Sequence, residues 1–283
     1  NIGFDIIFLD NRLRVNFDYF NKRTDPLLVQ IGTASSTGVK TLPRNVGKQI
    51  TEGITLTMNY SIIRREDMFW SVNMNLRHQT SEYKEVSEVL TKYNLDNRNR
   101  NLTRYYDGGS PSDLWAVRSC GIDPATGEEI FLDMNGNKVN KWDSKNYKPW
   151  GSSDPKIYGT VGTMFMYKGW ELNAHLYYKY GGYIYNQTLV DKVENVNPNE
   201  NGDRRILYDR WNEPGDVAKF KKVSDVSVTN PTSRFVEKEN YIQLQALSVS
   251  YDFRSAKLKE WGIQRLKISA IGNDVFTSST VRM

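Results

Sequence analysis

The chain has 283 residues, of which 39% are hydrophobic, 25% charged and 12% aromatic. Its mean hydropathy is −0.62 and no uninterrupted apolar stretch approaches the roughly 18 residues a membrane helix needs, so a helical membrane protein is excluded. One cysteine, Cys120, forbids an internal disulfide and any multi-cysteine metal site. Two histidines argue against a histidine-rich centre, and a net charge of +5 spread over scattered basic residues gives nucleic-acid binding little support.

Apolar and polar residues then alternate at period 2 along most of the chain, which is the signature of strands with one greasy and one wet face. Residues 2–8 alternate imperfectly, with Ile7 on the wrong side, and residues 13–19 alternate cleanly. In residues 54–62 every even position is apolar and every odd one is Thr, Asn or Ser; residues 70–77 follow suit from Trp70 onward. Residues 156–167 carry Gly159 and Gly162 and alternate weakly, whereas residues 170–178 put Glu171, Asn173 and His175 on the wet side. Residues 242–246 change phase before residues 247–253, as a bulge would require, and residues 266–270 complete the series. Either a soluble antiparallel sheet or an outer-membrane barrel produces such a pattern.

About eight strands are therefore expected, near residues 2–8, 13–22, 50–63, 69–80, 156–167, 170–180, 241–253 and 266–273. Short joints at 9–12, 64–68 and 168–169, and a somewhat longer one through 257–261, alternate with long connections at 23–49, 81–155 and 181–240. Up-and-down outer-membrane barrels have short turns at one rim and long loops at the other, while compact soluble domains seldom hold several connections of this length. Tyr19, Tyr60, Trp70, Tyr167, Trp170 and Tyr178 fall near the ends of the apolar rows, where aromatic girdles meet the membrane interfaces, although aromatics also favour strands in general. Eight strands alone would close into a small, filled barrel with no need of such loops, so an incomplete arc of a larger barrel fits better. The sequence begins inside an apparent strand and stops just after Val275-Phe276-Thr277 with no terminal aromatic strand, so it is expected to be an internal piece of a longer chain.

The long connections carry the unusual chemistry. Asp133, Asn135 and Asn137 have the odd spacing of a calcium loop, but Lys138 and Ser144 replace the glycine and the acid such a loop needs; a type I′ hairpin turn at Asn135-Gly136 is expected instead. Asp209, Glu213 and Asp216 could be imagined as hydrolytic carboxylates, yet nothing in their spacing opposes two of them across a cleft, and acids beside Pro214-Gly215 are expected to form turns. No nucleophile elbow, phosphate-binding glycine loop or histidine triad is present, so no enzyme activity, metal or cofactor is expected. The aromatics Tyr105, Tyr106, Trp115, Trp142, Tyr147, Trp150 and Trp211 can stack on sugar rings or peptide side chains, or can pin the loops together. Tyr105, Tyr106, Trp115, Trp150 and Trp211 are the candidate ligand-binding residues.

Asn45-Val-Gly47 ahead of residues 52–56, residues 70–75, Gly121-Ile-Asp-Pro-Ala-Thr-Gly127 and Asp154-Pro-Lys-Ile-Tyr-Gly159 occur in an ordered series. Gly181-Gly182, Arg210-Trp-Asn-Glu-Pro-Gly-Asp216, residues 232–244 and Asn273 continue it. In this order and over essentially its whole length the chain resembles the later barrel strands of the SusC/RagA-like TonB-dependent outer-membrane transporters of Bacteroidetes. The resemblance implies an all-β fold: a partial, antiparallel, up-and-down transmembrane β-barrel of about eight strands, with long extracellular loops, belonging to a barrel of about 22 strands. It further implies residence in the outer membrane among its lipids, a plug in the lumen, a SusD-like lipoprotein as lid, TonB as energy source and a multi-subunit complex importing oligosaccharides or peptides. Nothing in these residues resembles the TonB box, the plug or a carboxypeptidase-like extension, so transport motifs of those parts are not carried over. Two alternatives stand beside this reading: a soluble β-sandwich that binds or hydrolyses glycans, and a passive porin without plug or lid.

Overall fold

The computed structural model describes residues 1–96, 104–195, 203–253, 258 and 260–281, so the joint expected at 257–261 lies partly outside the described residues. In chain order the strands are β1 (Ile2–Phe8), β2 (Leu13–Thr24), β3 (Leu28–Gly32), β4 (Thr41–Asn45), β5 (Lys48–Arg64) and β6 (Met68–Lys84). After the helix α1 (Glu88–Asp96) come β7 (Asp113–Val117), β8 (Ser119–Ile122), β9 (Glu129–Leu132), β10 (Lys138–Val139) and β11 (Tyr147–Ser152). The last four are β12 (Ile157–Tyr167), β13 (Trp170–Tyr185), β14 (Val236–Phe253) and β15 (Leu266–Ser279). Eight of them form one antiparallel sheet in the order β1-β2-β5-β6-β12-β13-β14-β15, each strand beside its predecessor in the meander, with β1 and β15 as open edges. The expected up-and-down arc is thus present and unclosed.

Register turns the sequence alternation into two continuous faces. Leu56 pairs with Leu76, Met58 with Met74 and Tyr60 with Val72, while Thr57 pairs with Asn75 and Asn59 with Asn73. The apolar row runs on through Phe17 opposite Leu56 and Phe4 opposite Phe17, and on the other side through Val161 opposite Met74, Leu176, Leu172 opposite Val249, and Ala270. The odd position of Ile7 is resolved by pairing with Arg14, which puts it on the polar face. The phase change in β14 is a bulge: His175 pairs with Ala246 and Leu176 with Leu244, so Gln245 is skipped and both halves keep their greasy side on one face.

Close packing explains the weak alternation of β12. A Cβ on Gly159 would lie 1.8 Å from the Asn75 carbonyl oxygen, so β6 and β12 meet there where no side chain can stand, while one on Gly162 would have to displace the Asn73 side chain, whose Oδ1 lies 2.1 Å away. The Tyr178 hydroxyl donates to the same Asn75 carbonyl at 3.3 Å.

The short rim is built from tight turns. Asp10 and Asn11 both have positive φ, as do Lys168 and Gly169, which is the type I′ geometry whose twist matches that of the flanking strands. The turns are stitched sideways: Ser61 N donates to Arg12 O at 2.8 Å, Lys168 N to Asp67 O at 3.2 Å and Asp252 N to Gly169 O at 2.8 Å.

Among the described residues nothing covers the apolar face. Leu56, Met58, Tyr60, Val72, Met74 and Leu76 are all part-exposed rather than buried, and Phe4, Trp170 and Ile268 are 58%, 55% and 59% exposed. The buried hydrophobics lie instead at the long-loop rim, in two clusters: Val29, Val46 and Leu90, and Val190, Val193, Phe220 and Phe235. A soluble sandwich would bury the even-numbered row of β5 against a second layer, whereas here that row is part-exposed on an open antiparallel sheet. Along β13, the ten residue steps from Trp170 to Tyr180 span about 33 Å, or about 25 Å of height at a strand tilt of about 40°. That is the height of the apolar band of an outer-membrane barrel.

Aromatics mark its lower edge. Trp170 packs on Tyr251 at 4.8 Å between ring centroids and Tyr251 on Phe253 at 4.8 Å, with Tyr167 paired beside Trp170.

Candidate functional site

The polar face is a hydrogen-bonded wall. Asn75 Nδ2 donates to Thr57 Oγ1 at 3.0 Å, and Asn173 Nδ2 donates to Glu171, which also holds Lys267 at 2.7 Å. Arg14 pairs with Asp5 at 2.7 Å and Lys179 with Glu239 at 2.5 Å. The Arg77 guanidinium lies over the Phe20 ring at 5.3 Å, and Phe20 in turn packs on the bare backbone of Gly53. His175 is exposed on this face. Charges of both signs are mostly paired, so the wall presents amides, hydroxyls and neutralised ion pairs, a surface suited to hydrated cargo.

Above the long-loop rim the connections fold into a layer of their own. The hairpin β3–β4, the pair β7–β11 and the three-stranded β10-β9-β8 sheet make its frame. A buried ion cluster locks it: Arg234 bridges Glu129 at 2.8 Å and Glu194 at 2.5 Å, and donates to the Lys219 carbonyl at 2.6 Å. Burial alone would lower the basicity of Arg234, but its bonds to Glu194 and Glu129 override that and hold it above its ordinary value. Buried Arg210 donates to the carbonyls of Lys221 at 2.7 Å and of Val193. Four separate stretches of the long connections are thereby tied together. Sequence reasoning did not single out Arg234, Glu129, Glu194 or Arg210 as functional residues; the only signal was that Arg210 and Arg234 fall inside two of the segments that carry the family resemblance.

Those segments act as scaffolding. Asp216 accepts the amides of Asn212 at 2.9 Å and Glu213 at 3.0 Å, which hold its carboxyl below the usual carboxylate range. Asp209 pairs with Lys219 at 2.8 Å. These acids thus shape one turn, as expected of carboxylates beside Pro-Gly. Asp123 accepts from Ala125 N and Thr126 Oγ1, both at 3.0 Å, closing the turn before Gly127.

The turn at Asn135-Gly136 differs from the expected type I′. Leu132 pairs with Lys138, leaving a five-residue connection in which Gly136 has positive φ and Asn135 does not. The reason is Asp133: its carboxylate accepts the amides of Asn135 and Asn137, each at 2.8 Å, and this capping selects a wider turn.

The candidate ligand-binding aromatics separate into four settings. Tyr105 joins the first loop cluster, 5.1 Å from Tyr83 and 5.8 Å from Tyr93, with its backbone clasped by Asn94. Trp150 donates to Ala116 O at 3.1 Å and lies under Arg118 at 5.6 Å. Trp211 donates to Pro124 O at 2.8 Å and covers Gly127, where a Cβ would strike its ring at 2.5 Å. Tyr106 and Trp115 come together, ring centroids 5.0 Å apart, with Tyr106 45% exposed and the buried Trp115 Nε1 without a partner. Elsewhere in the loop layer, Trp142, Lys221, Asp225, Thr229 and Glu129 line an open cleft of about 650 Å³, a size suited to a small ligand. Trp142 is fixed there by donation to Pro231 O at 3.2 Å and by an edge contact with Tyr147 at 5.6 Å. Among the described residues there is no cluster of three or more metal-ligating side chains.

Comparison with known proteins agrees with this architecture. Residues 1–116 match the family described as TonB dependent receptor-like, beta-barrel. Two curated relatives from Formosa agariphila, TonB-dependent receptor P3 and TonB-dependent receptor P39, are 24% and 23% identical over 98% of this chain. The chain spans only 29% and 31% of their lengths. Among solved structures, the RagAB peptide transporter superposes with a TM-score of 0.79 at 18% identity, covering 99% of this chain and 31% of that one. The RagAB peptide importer in its open-open state gives 0.77 at 17% identity.

Proposed function

We propose that this chain is a stretch of outer-membrane β-barrel wall of the SusC/RagA-like TonB-dependent receptor kind, and that the protein to which it belongs imports oligosaccharides or peptides through the barrel lumen. The observation that carries the reading is the division of the sheet into a bare apolar face and a polar face rich in Asn, Ser, Thr and paired charges. Lipid covers the first and a hydrated path runs along the second. Asn73, Asn75 and Arg77 on β6 and Glu171, Asn173 and His175 on β13 line that path. A plug supplied by another part of the protein fills the lumen, TonB moves it, and cargo passes to the periplasm.

Capture occurs at the loop layer. A SusD-like lipoprotein closes over it as a lid, and the aromatics Tyr106 and Trp115, with Tyr105, Trp150 and Trp211 holding their loops, provide flat contacts for sugar rings or peptide side chains. The locked ion cluster supports this, because a rigid layer loses less entropy on binding cargo and lid than mobile loops would. The likeness to a peptide transporter favours peptides as the first cargo to test. The test is uptake by cells bearing the full-length protein, with and without TonB, comparing the unaltered transporter with a Tyr106→Ala/Trp115→Ala variant. Uptake that needs TonB and falls at least tenfold in the variant supports the reading. TonB-independent uptake would instead indicate a passive pore, and unchanged affinity for cargo and lid in the variant would remove the two aromatics from it.

A further inference from the structure

The apolar face carries a recess of about 720 Å³ at its upper end, lined by apolar residues including Ile54, Leu76, Ile157 and Tyr183 and by polar ones including His78, Ser152 and Asp154. Register places those four apolar residues on the membrane side: Ile54 lies opposite His78, Leu76 opposite Gly159, Ile157 opposite Tyr180 and Tyr183 opposite Lys238. The recess follows from strand lengths. β12 begins only at Ile157, while its neighbours β6 and β13 climb on to Lys84 and Tyr185. Residues 153–156 bridge the gap they leave, held by a 2.6 Å contact between His78 Nδ1 and the Lys156 carbonyl oxygen and by donation from Ser153 N to Ser112 O at 2.8 Å.

Its height is fixed by counting from the lower aromatic edge. Leu76 is six steps above Trp70, about 15 Å of height, and Ile157 is ten steps above Tyr167, about 25 Å, at a rise of about 3.3 Å and a tilt of about 40°. The recess therefore opens into the half of the bilayer next to the long loops and ends level with the headgroups, where Lys156 stands at its rim. Most of the exposed wall of the recess is apolar; that part gains nothing from water, and if left empty it forfeits its dispersion contacts. A flexible hydrocarbon chain restores them, and the apolar rows lead into the recess without a break.

We propose that this recess is a lipid-binding site that seats one acyl chain of a lipopolysaccharide molecule of the outer leaflet, with a headgroup phosphate above Lys156. The lipid braces residues 153–156, from which the long connection behind β7–β11 hangs. The proposal rests on the wall lying in the outer membrane and is independent of what the barrel transports.

Native mass spectrometry of the full-length protein, extracted from outer membranes in a mild non-ionic detergent, tests it by measuring retained lipopolysaccharide. The unaltered protein is expected to keep about one molecule per barrel. Ile157→Trp, which fills the recess, should lower retention at least tenfold, and Lys156→Gln should lower it less. Val249→Trp, elsewhere on the same face, should leave it unchanged. Heat-modifiable migration on a gel reports whether each variant has folded, and Leu76→Phe substitutes for Ile157→Trp if the latter does not assemble. Equal retention in the recess-filling variant and the Val249 control, retention of phospholipid alone, or a second copy of the barrel in place of lipid would each overturn the proposal.

Discussion

Replacing Arg234 by Met should release the loop layer while leaving the barrel wall intact. The Arg234 side chain is 12% exposed and is the counter-charge of Glu194, which is fully buried and has one carboxylate oxygen without a partner already. Removing the guanidinium takes from that buried carboxylate its only salt bridge among the described residues, and breaking a buried pair from one side costs about 3–5 kcal/mol. At about 1.4 kcal/mol per tenfold, local opening should become roughly a hundred- to several-thousand-fold more frequent. Hydrogen exchange on the full-length protein in detergent reads this directly: amides of residues 186–195 and 203–236 should lose two to three orders of magnitude of protection, while β5, β6, β12 and β13 keep theirs. Adding Glu194→Leu and Glu129→Gln to the same chain should recover part of the loss, because the stranded carboxylates are removed while buried Arg210 keeps its carbonyl partners but loses the attraction of Glu194. Unchanged protection in Arg234→Met would refute the claim that the ion cluster locks the layer, and loss that extends through the wall would refute its independence.

Other perturbations test the wall and its turns. Met58→Arg places a charge near mid-height on the lipid face and should destabilise the barrel by about 2–4 kcal/mol in denaturant titration from liposomes, whereas Thr57→Arg on the polar face should change little. Gly159→Val brings a side chain into the Asn75 carbonyl, so β6 and β12 should fail to pair; loss of the compact, heat-modifiable band is the expected readout. Hydrogen bonding to Arg205 lowers the Asp203 carboxyl from 3.8 to about 2, and amide bonds from Asn137 and Asn212 likewise depress Asp133 and Asp216. A depressed carboxylate contributes stability that is complete above its unfolded pKa and is lost as pH falls through the folded one. Limited proteolysis should therefore find the loop turns protected at pH 5 and progressively cut between pH 4 and pH 2.

Much of the wall was legible because a half-exposed sheet imposes period 2 on its own sequence. Even the irregularities could be read: the phase change before Leu247 became the skipped Gln245, and the misplaced Ile7 became a polar-face residue. What alternation cannot show is which strand positions meet across the sheet. The need for Gly159 appears only once the β6 backbone is seen to press against it, so it and Gly162 looked like interruptions. The strands also climb beyond the apolar rows, since β6 and β13 continue to Lys84 and Tyr185 with polar and aromatic residues after the membrane-facing pattern has stopped.

The loop layer was far less legible. Its clusters gather Val29 with Leu90 and Val190 with Phe235, residues far apart in sequence and without any shared period. The candidate aromatics could be picked out as aromatic but not sorted. That Trp211 packs on Gly127 while Tyr106 stays exposed depends on the turn geometry around Asp123 and Asp216, which single residues do not declare. The same holds for Asp133, whose carboxylate chose a wider turn than Asn135-Gly136 alone would have formed.

The central claim is that the even-numbered row of β5 faces hydrocarbon. Single cysteines at residues 56 to 60, carrying spin labels in the full-length protein in liposomes with Cys120 replaced by Ser, measure this position by position. Labels at Leu56, Met58 and Tyr60 should be reached by oxygen dissolved in the bilayer and shielded from a water-soluble nickel chelate, and labels at Thr57 and Asn59 should show the reverse. Accessibility without that two-residue alternation, or with Thr57 and Asn59 on the lipid side, would contradict the account.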